Sequence, residues 1–189
     1  EKGLLPPKAV LSHVCVVQNP GYHKLLVISD IAVIPAPDLK QKQAMIGYVA
    51  NTARALGVEK PKVAMITATE QMLPGMPACV EAAMLAKMSD RGQIAGCVVD
   101  GPLALDVALC KEAAEIKKLK SEVAGDADCL VFPSIEAANV FYKLGGHFIP
   151  GVKMAAMVAG AKAPCVLSSR ADSTETKLNS IALAALTAK

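Results

Sequence analysis

Tryptophan is absent from this 189-residue sequence, and only 3% of it is aromatic, yet 53% is hydrophobic. Its core must therefore be built from Val, Ile, Leu, Ala and Met. That argues against an aromatic-rich β-sandwich and for helices stacked on buried strands. No apolar run reaches the length of a membrane span, and the residues after Glu1 do not show the pattern of a secretory leader. The formal net charge is only +3, with no Lys/Arg stripe interleaved with aromatics, so nucleic acid is excluded as the expected partner. None of the six cysteines forms a C-x-x-C pair. Cys15, Cys97, Cys129 and Cys165 lie in or beside apolar runs. They read as reduced, buried thiols of a cytoplasmic protein rather than a disulfide frame or zinc site.

Several catalytic signatures are missing too. There is no G-x-G-x-x-G after a strand, no G-x-x-x-x-G-K-[ST], no G-x-S-x-G elbow and no H-E-x-x-H. Nicotinamide, Walker-type ATP, serine-hydrolase and zinc chemistries fall with them.

What is present is an alternation of short apolar runs with helical segments. Residues 9–17 and 24–34 are β-rich and separated by Asn19-Pro20-Gly21, which predicts a hairpin-like pair. Asp38 and Gln41 have capping-box spacing, predicting a helix to about Leu56. Strands are expected at 62–67, 94–100, 129–132, 154–158 and 164–167. A helix should open at Pro77 and end near Arg91-Gly92. Another should run from the Gly101-Pro102 turn to about Lys120, and a third from Pro133-Ser134 to a stop at Gly145-Gly146. A last helix should start at an Asp172–Glu175 capping box, with Leu178, Ile181, Leu183 and Leu186 as its apolar residues. The fold class is α/β, a largely parallel sheet with flanking helices, to which the first two strands add an antiparallel edge.

Three strand-to-helix junctions carry polar residues. Ser168, Ser169 and Arg170 follow the last strand, where backbone N–H groups, hydroxyls and a guanidinium can converge on an anion. A capped helix with a surface arginine reads the same residues equally well. Asp100, Gly101 and Pro102 end an earlier strand, and Asp100 is expected to face the same mouth as Ser169. The alternative there is a turn aspartate serving local N–H groups. Glu136 and Asn139 share one face of a helix's first turn, where a carboxylate also suits the helix dipole. Ser12 and His13 point to opposite sheet faces, and His13 reads as a satisfied or surface histidine.

The blocks VLSHV (10–14), DGPLALDVAL (100–109), GDADCLVFPSIEAANVFYK (125–143) and GAKAPCVLSSRADSTETKLNSIALA (160–184) closely resemble the phosphate acetyl/butyryltransferase family, in its branch for longer acyl groups. The resemblance implies an architecture like that of isocitrate and isopropylmalate dehydrogenases. It implies residues 1–161 as a middle domain, 162–189 as a strand and helix returning to a first domain, and a longer parent protein. The implied reaction is reversible transfer of a butyryl or similar acyl group between coenzyme A and phosphate, by direct attack, in a homodimer. No metal or prosthetic group is implied, and coenzyme A is a substrate. On this resemblance Ser169 and Arg170 match a catalytic Ser-Arg pair. Acetyl-handling members place a carboxylate seven residues after that serine, where this chain has Thr176, so Asp172 or Glu175 stand in as candidate base. Asp100, Gly101, Pro102, Glu136, Asn139 and Ser168 are the expected substrate-binding positions. A non-catalytic fragment that binds coenzyme A or phosphate, or that only self-associates, is the other reading.

Overall fold

The computed structural model describes residues 3–188, so Glu1 lies outside the described residues. Strand β1 (Ser12–Gln18) and β2 (Leu25–Ser29) pair antiparallel as the Asn19-Pro20-Gly21 turn predicts. Alternation along β1 sends Val14 and Val16 to one sheet face and Cys15 and Val17 to the other. The remaining strands are β3 (Lys62–Ile66), β4 (Val98–Leu103), β5 (Cys129–Val131), β6 (Lys153–Ala159) and β7 (Cys165–Val166). All seven form one sheet in the order β4-β3-β5-β2-β1-β6-β7.

The α/β class with flanking helices is borne out, but β1 does not add an edge. It sits inside the sheet, antiparallel to both β2 and β6, while β2, β5, β3 and β4 run parallel. The reason is burial: the six residues of β1 from Ser12 to Val17 are at 7% exposure or less, too buried a strand for an edge. The edge falls instead to two-residue β7, whose Val166 is 44% exposed, so the last strand is not the buried one its composition suggests.

Helices α1 (Leu39–Ala55) and α2 (Pro77–Asp90) and the last helix, α6 (Thr174–Thr187), cover one face. On the other lie α3 (Leu105–Leu109), α4 (Lys111–Ile116) and α5 (Ile135–Phe148). Met45, Ile46, Val49 and Leu85 fill the first layer, and Leu26, Ile28, Leu103 and Leu130 the second. Each such side chain contributes about 1.5–3 kcal/mol when fully buried. The Asp38–Gln41 capping box forms with both its hydrogen bonds, and Pro77 stands in the first turn of α2, as predicted.

Three helix boundaries differ from the sequence expectation. Strand β4 runs through Gly101-Pro102 rather than turning there, and two short helices replace the single one to Lys120. A Cβ on Gly101 would lie 2.6 Å from Met65 Cβ and 3.1 Å from Ala82 Cβ, so this glycine serves the packing of β4 against β3 and α2. Helix α5 continues through Gly145-Gly146 to Phe148, and the glycine at 145 leaves room for Met154 of β6, whose Cε would lie 2.9 Å from a Cβ there. Helix α6 is capped by Ser173, one residue later than expected, which leaves Asp172 outside the helix. Only Leu183 of its four predicted apolar residues is buried; Leu178, Ile181 and Leu186 are exposed. Ser180 lies on the inner face instead, and its hydroxyl accepts the Ala156 N–H at 2.9 Å. That N–H is available because the β6–β7 pairing stops at Met157–Val166.

Candidate active site

The segment after β7 leaves the sheet and closes into a tight turn. Asp172 N–H donates to the Ser169 carbonyl at 3.0 Å, and the Asp172 carboxylate accepts the Ser169 N–H at 2.6 Å. Arg170 and Ala171 are thereby held at the exposed corner of a reciprocal four-residue turn. The capping-box reading of Asp172 is therefore corrected: its carboxylate bonds backwards to Ser169, not forwards into α6.

Helix α5 supplies the other half. Tyr142 donates its hydroxyl to the same Asp172 oxygen, Oδ2, at 2.8 Å. Lys143 Nζ donates to Ser169 Oγ at 3.2 Å, while its ammonium stands 5.4 Å from the Tyr142 ring centre. No carboxylate lies within salt-bridge distance of Lys143 among the described residues. Asn139, Tyr142 and Lys143 follow one another at i, i+3 and i+4, so a single face of α5 carries all three. Burial pushes the Tyr142 phenol well above its ordinary range, and the hydrogen bond to Asp172 adds to this, so the group stays a donor.

The expected site residues separate into those that meet and those that do not. Ser168, Ser169, Arg170 and Asp172 form the turn, and Asn139 belongs to the helix face against it. Asn139 itself donates to the Ile31 carbonyl at 3.0 Å, tying α5 to the loop after β2. Glu136 is exposed in the first turn of α5, its carboxyl lowered by hydrogen bonds from its own backbone and from Ser134. Glu175 pairs with Lys153, and Thr176 donates its N–H to the Ser173 cap. Asp100, by contrast, does not face the same mouth as Ser169. Strands β4 and β7 are the two edges of the sheet. At ~4.8 Å per strand, six intervals put them about 29 Å apart. Asp100 accepts its neighbour Gly101's N–H at 2.8 Å, and Gly101 and Pro102 are buried.

Three residues at the turn escape a reading of local motifs. Tyr142 and Lys143 lie inside a helical run whose outward and inward faces only the fold assigns. His13 is neither surface-exposed nor fully satisfied: it is 3% exposed, with Nε2 2.9 Å from the Leu167 carbonyl and no partner for Nδ1. Its position at the start of a buried strand was the available signal. The structure does place Ser12 on the opposite face, where its hydroxyl meets Ser29 at 2.7 Å.

A cleft of about 650 Å³ lies elsewhere: it opens between the ends of α1 and α6 and the 158–164 segment, lined by Tyr48, Arg54, Gly160 and Pro164 among others. Among the described residues no group of three or more His, Cys, Asp or Glu side chains is placed to hold a metal ion. All six cysteines are free. Cys15, Cys79, Cys97 and Cys129 are buried, Cys165 is partly exposed and Cys110 exposed, which corrects the expectation for Cys165. No helix is long and apolar enough to cross a membrane among the described residues.

A mixed sheet with helices on both faces defines an α/β protein, and the turn at the sheet's edge sets Ser169, Arg170 and the Lys143 ammonium together. The phosphate acetyl/butaryl transferase family model matches residues 3–185, and the chain belongs to that family. It is 50% identical over 188 residues to a phosphate butyryltransferase of Clostridium acetobutylicum, covering 100% of this chain and 62% of that one. A phosphate acetyltransferase of Thermotoga maritima is 48% identical over 176 residues, or 93% of this chain and 60% of its own. The crystal structure of a branched-chain phosphotransacylase from Enterococcus faecalis superposes with a TM-score of 0.88 at 35% identity, over 97% of this chain and 65% of that one. This chain thus spans about three fifths of the length of the curated relatives it matches.

Proposed function

We propose that this chain carries part of the site of a phosphate acyltransferase, exchanging a butyryl or similar short acyl group between coenzyme A and inorganic phosphate. A phosphate oxygen attacks the thioester carbonyl, the C–O bond forms, the C–S bond breaks, and coenzyme A leaves as the thiolate that takes up a proton. The observation that carries this reading is the polarity of the Ser169 hydroxyl. Its oxygen accepts from Lys143 Nζ at 3.2 Å and from Ala171 N–H at 3.4 Å, so its own proton is left to point outward as a donor. A donor of this kind stabilises a developing oxyanion. Arg170 at the exposed corner of the turn is the fork for phosphate or the carbonyl oxygen.

Asp172 Oδ2 is occupied by Ser169 N–H and the Tyr142 hydroxyl, which orients Oδ1. We assign Oδ1 the thiol proton in the reverse direction, in place of the carboxylate replaced by Thr176. No cysteine is given a covalent role: burial holds the Cys15 and Cys129 thiols well above their ordinary range. Ser168, Glu136 and Asn139 keep the binding roles expected of them, at the turn and on α5. The homodimer and cytoplasmic location implied by the family resemblance are part of the same proposal, as is the absence of a prosthetic group. So is a boundary near Lys162: the exposed Leu167, Leu178, Ile181 and Leu186 all fall in residues 162–189, which suits packing on a further domain of a longer protein.

Free-thiol release from butyryl-CoA on adding phosphate tests the reading. Arg170→Ala should lower phosphate-dependent release by about 10²–10³-fold; equal release from both proteins removes the role given to Arg170. The rival reading is a module that binds coenzyme A or phosphate without turnover. Binding of coenzyme A with no phosphate-dependent release would establish it.

A further inference from the structure

His13 has no part in the chemistry above, yet it is buried behind the turn that does. Its Nε2 lies 2.9 Å from the Leu167 carbonyl. A carbonyl oxygen only accepts, so Nε2 carries the proton and Nδ1 is a bare acceptor. That Nδ1 is fully buried with no hydrogen-bond partner. Buried polar atoms without partners are few in folded proteins, and each one carries an uncompensated desolvation cost. A leucine or valine would fill the position without that cost, but would lose the bond to Leu167.

That bond has a distinct place in the fold. The β6–β7 pairing ends at Val166, so Leu167 is the first residue beyond the ladder and Ser169 follows two residues later. Tyr142 and Lys143 secure the turn from the α5 side; His13 secures it from the sheet. The strand itself is fixed, since His13 N–H donates to Asp30 Oδ2 at 3.0 Å and Asp30 Oδ1 accepts from Ala32 and Val33.

We propose that His13 is a positioning residue: its neutral ring, donating from Nε2 to the Leu167 carbonyl, clamps the start of the Ser168–Asp172 turn to the sheet and so sets where Ser169 and Arg170 stand. For its effect on turnover this rests on the acyltransferase reading, but the clamp can be measured without turnover. Its titration follows from its neighbours. The charged and titratable groups around it are Asp30 at the end of β2, Asp172 in the turn, Tyr142 on α5 with Lys143 beyond it, and Cys15 on its own strand. Burial lowers the His13 pKa from 6.5, opposed by the Leu167 bond and by Asp30 and Asp172. The folded chain thus prefers the neutral ring. The clamp is intact above pH 6.5 and weakens as pH falls from there towards the lowered value. A proton at Nδ1 creates a buried donor whose nearest acidic groups already hold the turn and the β2 loop.

Amide hydrogen exchange across Ser168–Asp172 in the 189-residue chain tests this, at pH 7.5 and 5.5 after correction for intrinsic rates. The wild type should lose protection at pH 5.5, by at most about tenfold, the limit that linkage sets one pH unit below the ordinary 6.5 of the imidazole. His13→Ala should lack it at both values. His13→Gln, whose amide can replace the Nε2–H donor, should keep it at both. Turn protection in His13→Ala equal to wild type would overturn the clamp. Should His13→Ala not fold, His13→Gln decides alone: protection independent of pH supports the proposal, and a wild-type fall at pH 5.5 overturns it. Butyryl-CoA turnover in parallel separates the two readings, since absent turnover counts against the acyltransferase while the exchange data still judge the clamp.

Discussion

Lys143 is the residue whose replacement should say most about the turn. It is a cation with a serine hydroxyl as its partner and no carboxylate within reach among the described residues. Removing it leaves Ser169 Oγ with only the long 3.4 Å contact from Ala171 N–H. The hydroxyl proton is then free to rotate away from the substrate. Lys143→Met should lower phosphate-dependent thiol release by about 10–100-fold while leaving the unfolding midpoint nearly unchanged, since a part-exposed ammonium contributes little to stability. A steady-state comparison with Lys143→Arg, expected to recover part of the rate, checks it. Ser169 and Arg170 were legible in the sequence because they stand together after a strand. Lys143 was not, because 26 residues and two elements separate it from Ser169, and nothing local marks the α5 face that turns towards β7.

Among the elements, α1 and α2 show how a buried charge couples two helices. The Lys42 ammonium, 6% exposed, is paired with Glu81 on α2, which is 30% exposed. Deleting the acid strands a buried cation, whereas deleting the lysine leaves a carboxylate that water can reach. Glu81→Ala should therefore cost about 3–5 kcal/mol. Lys42→Met should cost less, and the double variant less than Glu81→Ala alone. Urea unfolding of the three variants measures the difference. Helix starts were the most legible parts of these elements, because a cap is local chemistry: Asp38 with Gln41 and Pro77 fall where their residue types require. Helix ends and the last cap were not. Gly145 lies inside α5 and gives its room to Met154 rather than ending the helix, and Asp172 bonds to Tyr142, thirty residues away, instead of capping α6.

Across the whole molecule, one cluster of paired charges ties three parallel strands together. Asp126 receives Lys24, Lys62 and His23 at 2.6–2.9 Å, and Lys24 also reaches Asp128 at 3.0 Å. These groups join the amino ends of β2, β3 and β5. Burial works against the charged Asp126, but the bonds from Lys24, Lys62 and His23 outweigh it and hold the carboxyl far below 3.8. A depressed carboxyl stabilises the fold above its unfolded pKa, and that contribution fades as pH falls below 3.8. Asp126→Asn should lower the melting temperature by about 2–4 °C at pH 7, allowing roughly 1 kcal/mol for a part-exposed network in a chain of this size. Thermal scans should find the gap between variant and wild type closing below pH 3.8.

The sequence by itself determined the α/β class, the hairpin of the first two strands, the helix starts at Asp38, Pro77 and Ser134, and the Ser-Ser-Arg segment. Each of these depends on residues close together in the chain, through periodicity, turn chemistry or caps. Strand order was decided only by the tertiary structure, since pairing depends on which apolar faces bury one another. That order puts β1 inside the sheet, sends Asp100 to the edge opposite Ser169, and brings His13, Tyr142 and Lys143 onto a turn that no local signal connects to them.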